Sequence, residues 1–249
     1  MEAKKSLGQH FLKDDSVLLK IASELKNERN IVEIGAGRGA LSEYIAEIAD
    51  NLELVEFDRD LIDILKNRFT KKGINIVNAD AKEFRLNKKC AVIGNLPYNA
   101  SKRIISNFIN QKGKITKMVF MVQEEVADTI VADSGTRQYS KFSIFVQIFC
   151  RARKLFEVDS DAFYPPPKVK SAVVELVPYN ENIIGSKIDK SFFSFLNVLF
   201  MHPRKTVKNN LKGVFNGVNS GDANRRPGDM SILHIYKMYK EYIEWKKVM

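Results

Sequence analysis

The stretch Ile31-Val32-Glu33-Ile34-Gly35-Ala36-Gly37-Arg38-Gly39-Ala40-Leu41 decides how the rest of the chain is read. A short, mostly β-branched run leads into a turn with glycine at every second position, followed by Leu41, Tyr44, Ile45 and Ile48 at helical spacing. That order predicts strand, glycine turn, helix. Glycine has no Cβ, so the turn can be tight and can let a ligand approach main-chain N–H groups at the helix start. The alternation continues outward. Upstream, Val17, Leu18, Ile21, Ala22 and Leu25 behind Asp14-Asp15-Ser16 predict a first helix over 16–26. Downstream, Leu52–Phe57 predicts a strand, Asp60–Phe69 a helix, Ile74–Asn78 a strand, and Ala91–Gly94 a strand that stops at Asn95-Leu96-Pro97-Tyr98. Ile104, Ile105, Phe108 and Ile109 follow on a helix opened by Ser101. Met118–Val122 then reads as a strand and Gln123–Ala132 as a helix.

Short apolar strands alternating with helices predict an α/β fold with a mostly parallel sheet. Ser143–Cys150 and Val173–Val177 read as two strands with no helix between them, which predicts an antiparallel hairpin at one edge. Tyr179–Ser186 reads as a polar linker. Beyond it, Phe192, Phe195, Leu196, Leu199, Val207, Leu211 and Ile232–Ile243 predict a small helical domain. The expected organisation is therefore an α/β domain over 1–180 and an α-helical domain over 185–249.

A chain of 249 residues, 45% of them hydrophobic, is long enough to bury a sizeable core. Its formal charge is +10, of which a net +7 lies between Gly185 and Met249. An excess of that kind points to a polyanionic partner held by the helical domain. Cys90 and Cys150 have no metal-ligand spacing and no C-x-x-C, so they read as buried reduced thiols in a cytosolic protein, with no metal implied. The N-terminus lacks an apolar leader, and no apolar run is long enough to span a membrane.

Gly35 and Gly37, with Glu56 at the end of the next predicted strand, form a pattern for an adenosine-containing cofactor, since a carboxylate there can accept from both ribose hydroxyls. Asp80, just after the third strand, stands where a carboxylate could accept from the adenine amino group. With Ala40 the run also fits G-x-G-x-x-A, which keeps a nicotinamide dinucleotide open as the cofactor. Asn95-Leu96-Pro97-Tyr98 separates the two. An exocyclic adenine nitrogen has its lone pair delocalised into the ring, so it needs acceptors that bind its hydrogens and draw it toward tetrahedral geometry. The Asn95 side-chain oxygen and the Leu96 carbonyl are such acceptors, Pro97 stiffens the turn and Tyr98 can stack on a base. A dehydrogenase would have no use for this motif.

Several motifs in one order resemble the ribosomal RNA adenine N6,N6-dimethyltransferase family. They are Leu7-Gly8-Gln9-His10-Phe11-Leu12, Val32-Glu33-Ile34-Gly35-Ala36-Gly37, Glu56-Phe57-Asp58, Asp80-Ala81, Gly94-Asn95-Leu96-Pro97-Tyr98-Asn99, Gln123-Glu124-Glu125-Val126 and Phe163-Tyr164-Pro165-Pro166-Pro167-Lys168-Val169-Lys170-Ser171. The resemblance implies a Rossmann-like class I methyltransferase that uses S-adenosyl-L-methionine. Its methyl groups would go to N6 of two adjacent loop adenosines near the 3′ end of small-subunit rRNA. Cofactor contacts would come from His10, Leu12, Gly35, Gly37, Glu56, Asp80 and Asn95, and catalysis from Asn95, Leu96, Pro97 and Tyr98. A flipped target base would sit between Tyr98 and Phe163. RNA contacts would come from Arg204, Lys205 and Lys208, spaced with Lys212 along one predicted helix. The family also suggests a cytoplasmic monomer acting on rRNA within a pre-30S-type particle.

Two positions depart from the family pattern: Pro203 stands where an arginine is usual, and Ala100 where Ile or Val is usual. Two other readings share the fold. One is a large-subunit rRNA adenine methyltransferase of the erythromycin-resistance type. The other is a non-catalytic RNA-binding factor, either for ribosome assembly or for mitochondrial transcription. The intact Gly35, Glu56, Asp80 and Asn95 set favours a working enzyme.

Overall fold

The computed structural model describes residues 9–248; the basic N-terminal arm, Leu7-Gly8 of the opening motif and Met249 lie outside the described residues. Seven strands form one sheet. In chain order its parallel part is β2 (Asn30–Ile34), β3 (Asn51–Glu56), β4 (Ile74–Asn78), β5 (Cys90–Asn95) and β6 (Ile115–Gln123). A further strand, β1 (Phe11–Leu12), belongs elsewhere, and β7 (Cys150–Val158), β8 (Phe163–Tyr164) and β9 (Ser171–Pro178) follow. The spatial order of the sheet is β4-β3-β2-β5-β6-β9-β7, with β9 antiparallel to both β6 and β7. The strand order reverses between β2 and β5, and it is at such a switch point that a crevice opens beyond the strands' carboxyl ends.

The helices among the parallel strands are α1 (Asp15–Ser23), α2 (Ala40–Ala46), α3 (Arg59–Arg68) and α4 (Ser101–Ile109). Each begins where local chemistry allows. Asp14 caps α1 by accepting from Ser16 N and Val17 N, and Asp58 caps α3 by accepting from Asp60 N. Gly39, at φ +83°, starts α2 in a left-handed conformation in which a Cβ would meet the Phe69 ring at 2.5 Å. Leu25, Ile31, Ile45, Leu54, Leu65, Ile93 and Val119 lie at the heart of this core.

The chain divides into two compact units: one runs to Ala127 and resumes over Cys150–Asn180, and the other comprises Asp128–Phe149 with Glu181 onward. The second unit therefore contains a segment that the reading of the sequence had placed in the α/β domain. The difference lies in one element. Lys141–Phe149 is a helix, α6, and the edge strand begins only at Cys150. Ser143, Ile144, Val146 and Ile148 are all buried along α6, which is apolar nearly all round and so shows no helical period. Edge strand β7 had been hidden by its charges, since Arg151, Arg153 and Lys154 interrupt its apolar pattern.

The second unit packs α6 with α7 (Lys190–Leu199), α8 (Val207–Leu211), α9 (Ser220–Ala223) and α10 (Ile232–Val248); α5 (Glu124–Val131) spans the boundary between the units. Phe192, Phe195, Leu199, Phe215 and Ile235 form its core. Arg204 and Lys205 precede α8 rather than lying on it, because Thr206 is the residue at the helix start; Lys208 is within it and Lys212 just past its end. All four are exposed.

Candidate active site

At the carboxyl ends of β2 to β5 lies a cavity of about 780 Å³. Its lining contains nearly every residue expected of a cofactor and methyl-transfer site: His10 and Leu12, Gly35 and Gly37, Glu56, Asp80, and Asn95 through Tyr98. These come from four strand ends and one N-terminal segment that are distant in sequence. Phe163, Arg204, Lys205 and Lys208 are not among them.

The glycine turn is built as its composition requires. Gly35 and Gly37 have φ of +71° and +59°, and a Cβ on Gly37 would press against the Phe11 ring at 3.4 Å. Gly35 N donates to Val55 O at 2.8 Å, which joins the turn to the end of β3. There the Glu56 carboxylate, only 8% exposed, accepts from three main-chain amides: Gly37 N at 2.9 Å, Phe57 N at 2.8 Å and Asp58 N at 2.8 Å. Burial pushes its pKa up, while the three amides oppose that. An ionised carboxylate has about four acceptor positions, so a ribose hydroxyl still finds a lone pair here.

Asp80 takes Lys82 N on one oxygen at 2.9 Å and Lys82 Nζ on the other at 3.0 Å. Burial works against its charge, but the Lys82 amide and ammonium, with Arg103 nearby, hold the carboxyl below its ordinary value. It therefore stands ionised at the cavity wall as an acceptor. A bare backbone cradle with two carboxylates on the cavity wall, Glu56 rigidly held and Asp80 ionised, is a donor and acceptor set that fits S-adenosyl-L-methionine.

The catalytic loop leaves β5 at Asn95. Leu96 N donates to Met121 O at 3.0 Å, and Ala100 N to Pro97 O at 3.0 Å, so the loop is pinned at both ends. Gly94 cannot be replaced here, since a Cβ would lie 2.3 Å from Ile34 O. Asn95 Nδ2 donates to His10 O at 2.9 Å. A carbonyl can only accept, so this contact fixes which end of the amide is nitrogen and leaves Oδ1 as the acceptor Asn95 offers. Tyr98 shares a hydrogen bond of 2.7 Å with Ser171, and burial raises its pKa and keeps the phenol neutral.

Residues 9–12 stitch the site together. Gln9 Nε2 donates to Asp58 at 3.0 Å, and His10 Nδ1 donates to Pro165 O at 2.8 Å. The His10 ring stacks on Tyr98 with centroids 5.4 Å apart and planes 23° apart. Phe11 and Leu12 pair antiparallel with Tyr164 and Phe163 as the two-stranded sheet β1–β8. Sequence patterning cannot show a two-residue strand, and this one ties the opening motif to the proline-rich loop.

That pairing corrects the expectation for Phe163. Its ring is 1% exposed, sits in the core and is outside the cavity lining, while Tyr164, 59% exposed, is part of the lining. Alternation along β8 explains the exchange, since neighbouring side chains point to opposite faces.

Among the cavity residues to which the sequence assigns no role of their own, three stand out. Phe57 follows Glu56 and is 58% exposed, an aromatic face beside the acid. Tyr164 is the second. Glu33, 2% exposed, accepts from Ser42 Oγ at 2.6 Å; burial foremost, with repulsion from Glu56, pushes its carboxyl up to about 8 despite that bond. The available signal was a lone carboxylate inside an otherwise apolar strand. Among the described residues no group of side chains could hold a metal ion, and no helix is long and apolar enough to cross a membrane.

Comparison with known proteins agrees with this geometry. The family model for ribosomal RNA adenine dimethylase matches residues 1–242. Ribosomal RNA small subunit methyltransferase A of Coxiella burnetii is 40% identical over 225 residues, covering 87% of each chain. Its counterpart in Shewanella oneidensis is 38% identical over 246 residues, covering 92% of this chain and 91% of that one. In fold, a dimethyladenosine transferase from Plasmodium falciparum superposes with a TM-score of 0.82 at 24% identity, covering 94% of this chain and 98% of its own. The 23S rRNA methyltransferase ErmE gives 0.71 at 23% identity, covering 91% and 98%. The chain belongs to the ribosomal RNA adenine dimethylase family, S-adenosylmethionine-dependent methyltransferases of Rossmann-like fold.

Proposed function

We propose that this enzyme transfers methyl groups from S-adenosyl-L-methionine to N6 of two adjacent loop adenosines near the 3′ end of small-subunit rRNA, giving N6,N6-dimethyladenosine. The observation that carries the reaction is the orientation of Asn95: with Nδ2 committed to His10 O, its Oδ1 is the acceptor for an adenine amino hydrogen. The Leu96 carbonyl is the second acceptor. Together they draw the nitrogen lone pair out of conjugation, and Tyr98 supports the base through its ring. When bound, the cofactor supplies a methyl group on an electrophilic sulfonium. Glu56 would hold its ribose, Asp80 its adenine amino group, and the glycine turn and Leu12 its remaining length. No strong base is required, because the positioned nitrogen is the nucleophile and the N–H proton it sheds, made strongly acidic by methylation, passes to water.

Relatives near 40% identity carry the small-subunit name, which supports small-subunit rRNA over large-subunit rRNA as substrate. The likeness to ErmE is one of fold alone. We assign RNA-phosphate binding to the helical unit on the net +7 charge of residues 185–249 and on exposed Arg204, Lys205 and Lys208. The reading extends to a monomer acting in the cytoplasm on a pre-30S-type particle, with one chain supplying the whole site.

The test is incubation with methyl-labelled cofactor and small subunits that lack these methyl groups, followed by mapping of the labelled nucleotides. Label on two adjacent small-subunit adenosines is expected, and Asn95→Ala should abolish it while cofactor binding persists. Label in large-subunit rRNA, or binding with no label, would overturn the assignment.

A further inference from the structure

Asp80 opens a segment, residues 79–89, with no regular strand or helix, yet its carbonyls are held one after another by α4. Asn107, 7% exposed on that helix, donates through Nδ2 to both Ala81 O and Phe84 O at 2.9 Å. Its Oδ1 accepts from Arg85 and from Gln111 Nε2. Gln111, just past the helix end, also donates to Phe84 O at 3.0 Å and accepts from Leu86 N at 2.8 Å. Phe84 N and Glu83 N in turn donate to Asp80 O, each at 3.0 Å. Every amide atom of Asn107 is thus used to close the turn that begins at Asp80.

The opposite end of α4 carries the catalytic loop. Ile104 N donates to Ala100 O at 2.9 Å and Ser101 Oγ to Tyr98 O at 3.3 Å, so the helix starts directly on the Asn95–Tyr98 turn. One rigid helix therefore supports both the methyl-acceptor loop and the acid expected to read the cofactor's adenine. A loop without its own ladder of hydrogen bonds depends on side chains for its backbone geometry.

We propose that Asn107 is a positioning residue for adenine recognition, holding the Asp80 turn against α4 so that the Asp80 carboxylate meets the cofactor's amino group at a fixed distance from Asn95. This rests on the reading of Asp80 as the adenine acceptor. Asn107 lies outside the cavity lining; it acts through the main chain of Ala81 and Phe84. A bare loss of packing would lower stability without altering which purine is preferred, whereas a loosened Asp80 turn would lower the preference itself.

The experiment compares binding of S-adenosylhomocysteine with that of its 6-oxo analogue, S-inosylhomocysteine, by calorimetry on the full chain. The variants are Asn107→Leu, similar in size but without donors, and Asn107→Asp, which keeps the Arg85 partner and loses both donors. Asn107→Ser, smaller and able to keep one donor, provides the measurement if the others do not fold. The preference for the adenine ligand should shrink about tenfold and the cofactor KM rise about as much, with kcat at saturating cofactor within about twofold. Asp80→Asn is measured alongside. If it erases the preference and the Asn107 variants do not change it, Asn107 is structural only and the proposal fails. If Asp80→Asn itself leaves the preference intact, the reading of Asp80 falls and the proposal falls with it.

Discussion

The side-chain amide of Asn95 donates to the main-chain carbonyl of His10 across 2.9 Å, between residues 85 positions apart. The methyl-acceptor loop therefore takes its orientation from the N-terminal segment, which the β1–β8 pairing holds in place. A carboxylate at position 95 would still be an acceptor but would face the His10 carbonyl as a repelling partner. Asn95→Asp should lower kcat about a hundredfold, through misplacement rather than lost chemistry, with cofactor affinity little changed. Single-turnover methylation beside cofactor titration checks this.

Glu33 links stability to pH. Its carboxyl is pushed up to about 8 in the folded chain from an ordinary 4.5, so the folded state holds the proton more tightly than the unfolded chain does. Its contribution is fully present below about pH 4.5 and is lost as pH rises through 8. Glu33→Gln, neutral at every pH and able to keep Ser42 as a partner, should flatten this stretch of the curve. Urea unfolding of both proteins between pH 5 and 9 would show it, and parallel curves would contradict it.

Gly94→Ala should be among the most damaging single changes in the sheet. The added Cβ would lie 2.3 Å from the Ile34 main-chain oxygen, between two paired strands that cannot separate locally. A loss of about 3 kcal/mol or more is expected, measured by chemical denaturation.

Phe163 and Tyr164 should part company when each is changed to alanine. Phe163 is a core side chain, and its removal should cost about 3–5 kcal/mol of stability. Tyr164 faces the cavity, so its loss should leave stability within about 0.5 kcal/mol. It should instead raise the KM for RNA by about tenfold, the scale of one base–aromatic stack. Loss of stability from Tyr164→Ala, with RNA kinetics intact, would reverse the assignment.

Replacing Arg204, Lys205 and Lys208 together by alanine should weaken RNA binding and reduce the slope of log affinity against log salt by about 2. Calorimetry should find cofactor affinity unchanged, because all three residues are outside the cavity lining.

The nearest-neighbour chemistry of the site was legible in the residues. Gly35 and Gly37 need positive φ, Glu56 stands at a strand end and Asn95-Leu96-Pro97-Tyr98 closes another, all of which are local properties. What escaped was either too short or too uniform to carry a period. β1 and β8 have two residues each, α6 is apolar nearly all round, and β7 hides behind its arginines.

The sequence by itself determined the parallel α/β order and picked out the strand-end acids and the Asn95–Tyr98 motif that line the cavity, because hydrophobic period, glycine turns and strand-end residues are set over a few consecutive positions. Only the tertiary structure decided that His10 orients Asn95, that Tyr164 rather than Phe163 faces the cavity, and that Asn107 closes the Asp80 turn. Each of these is a contact between segments far apart in the chain, and its geometry follows from how strands pair and helices pack, which no local pattern encodes.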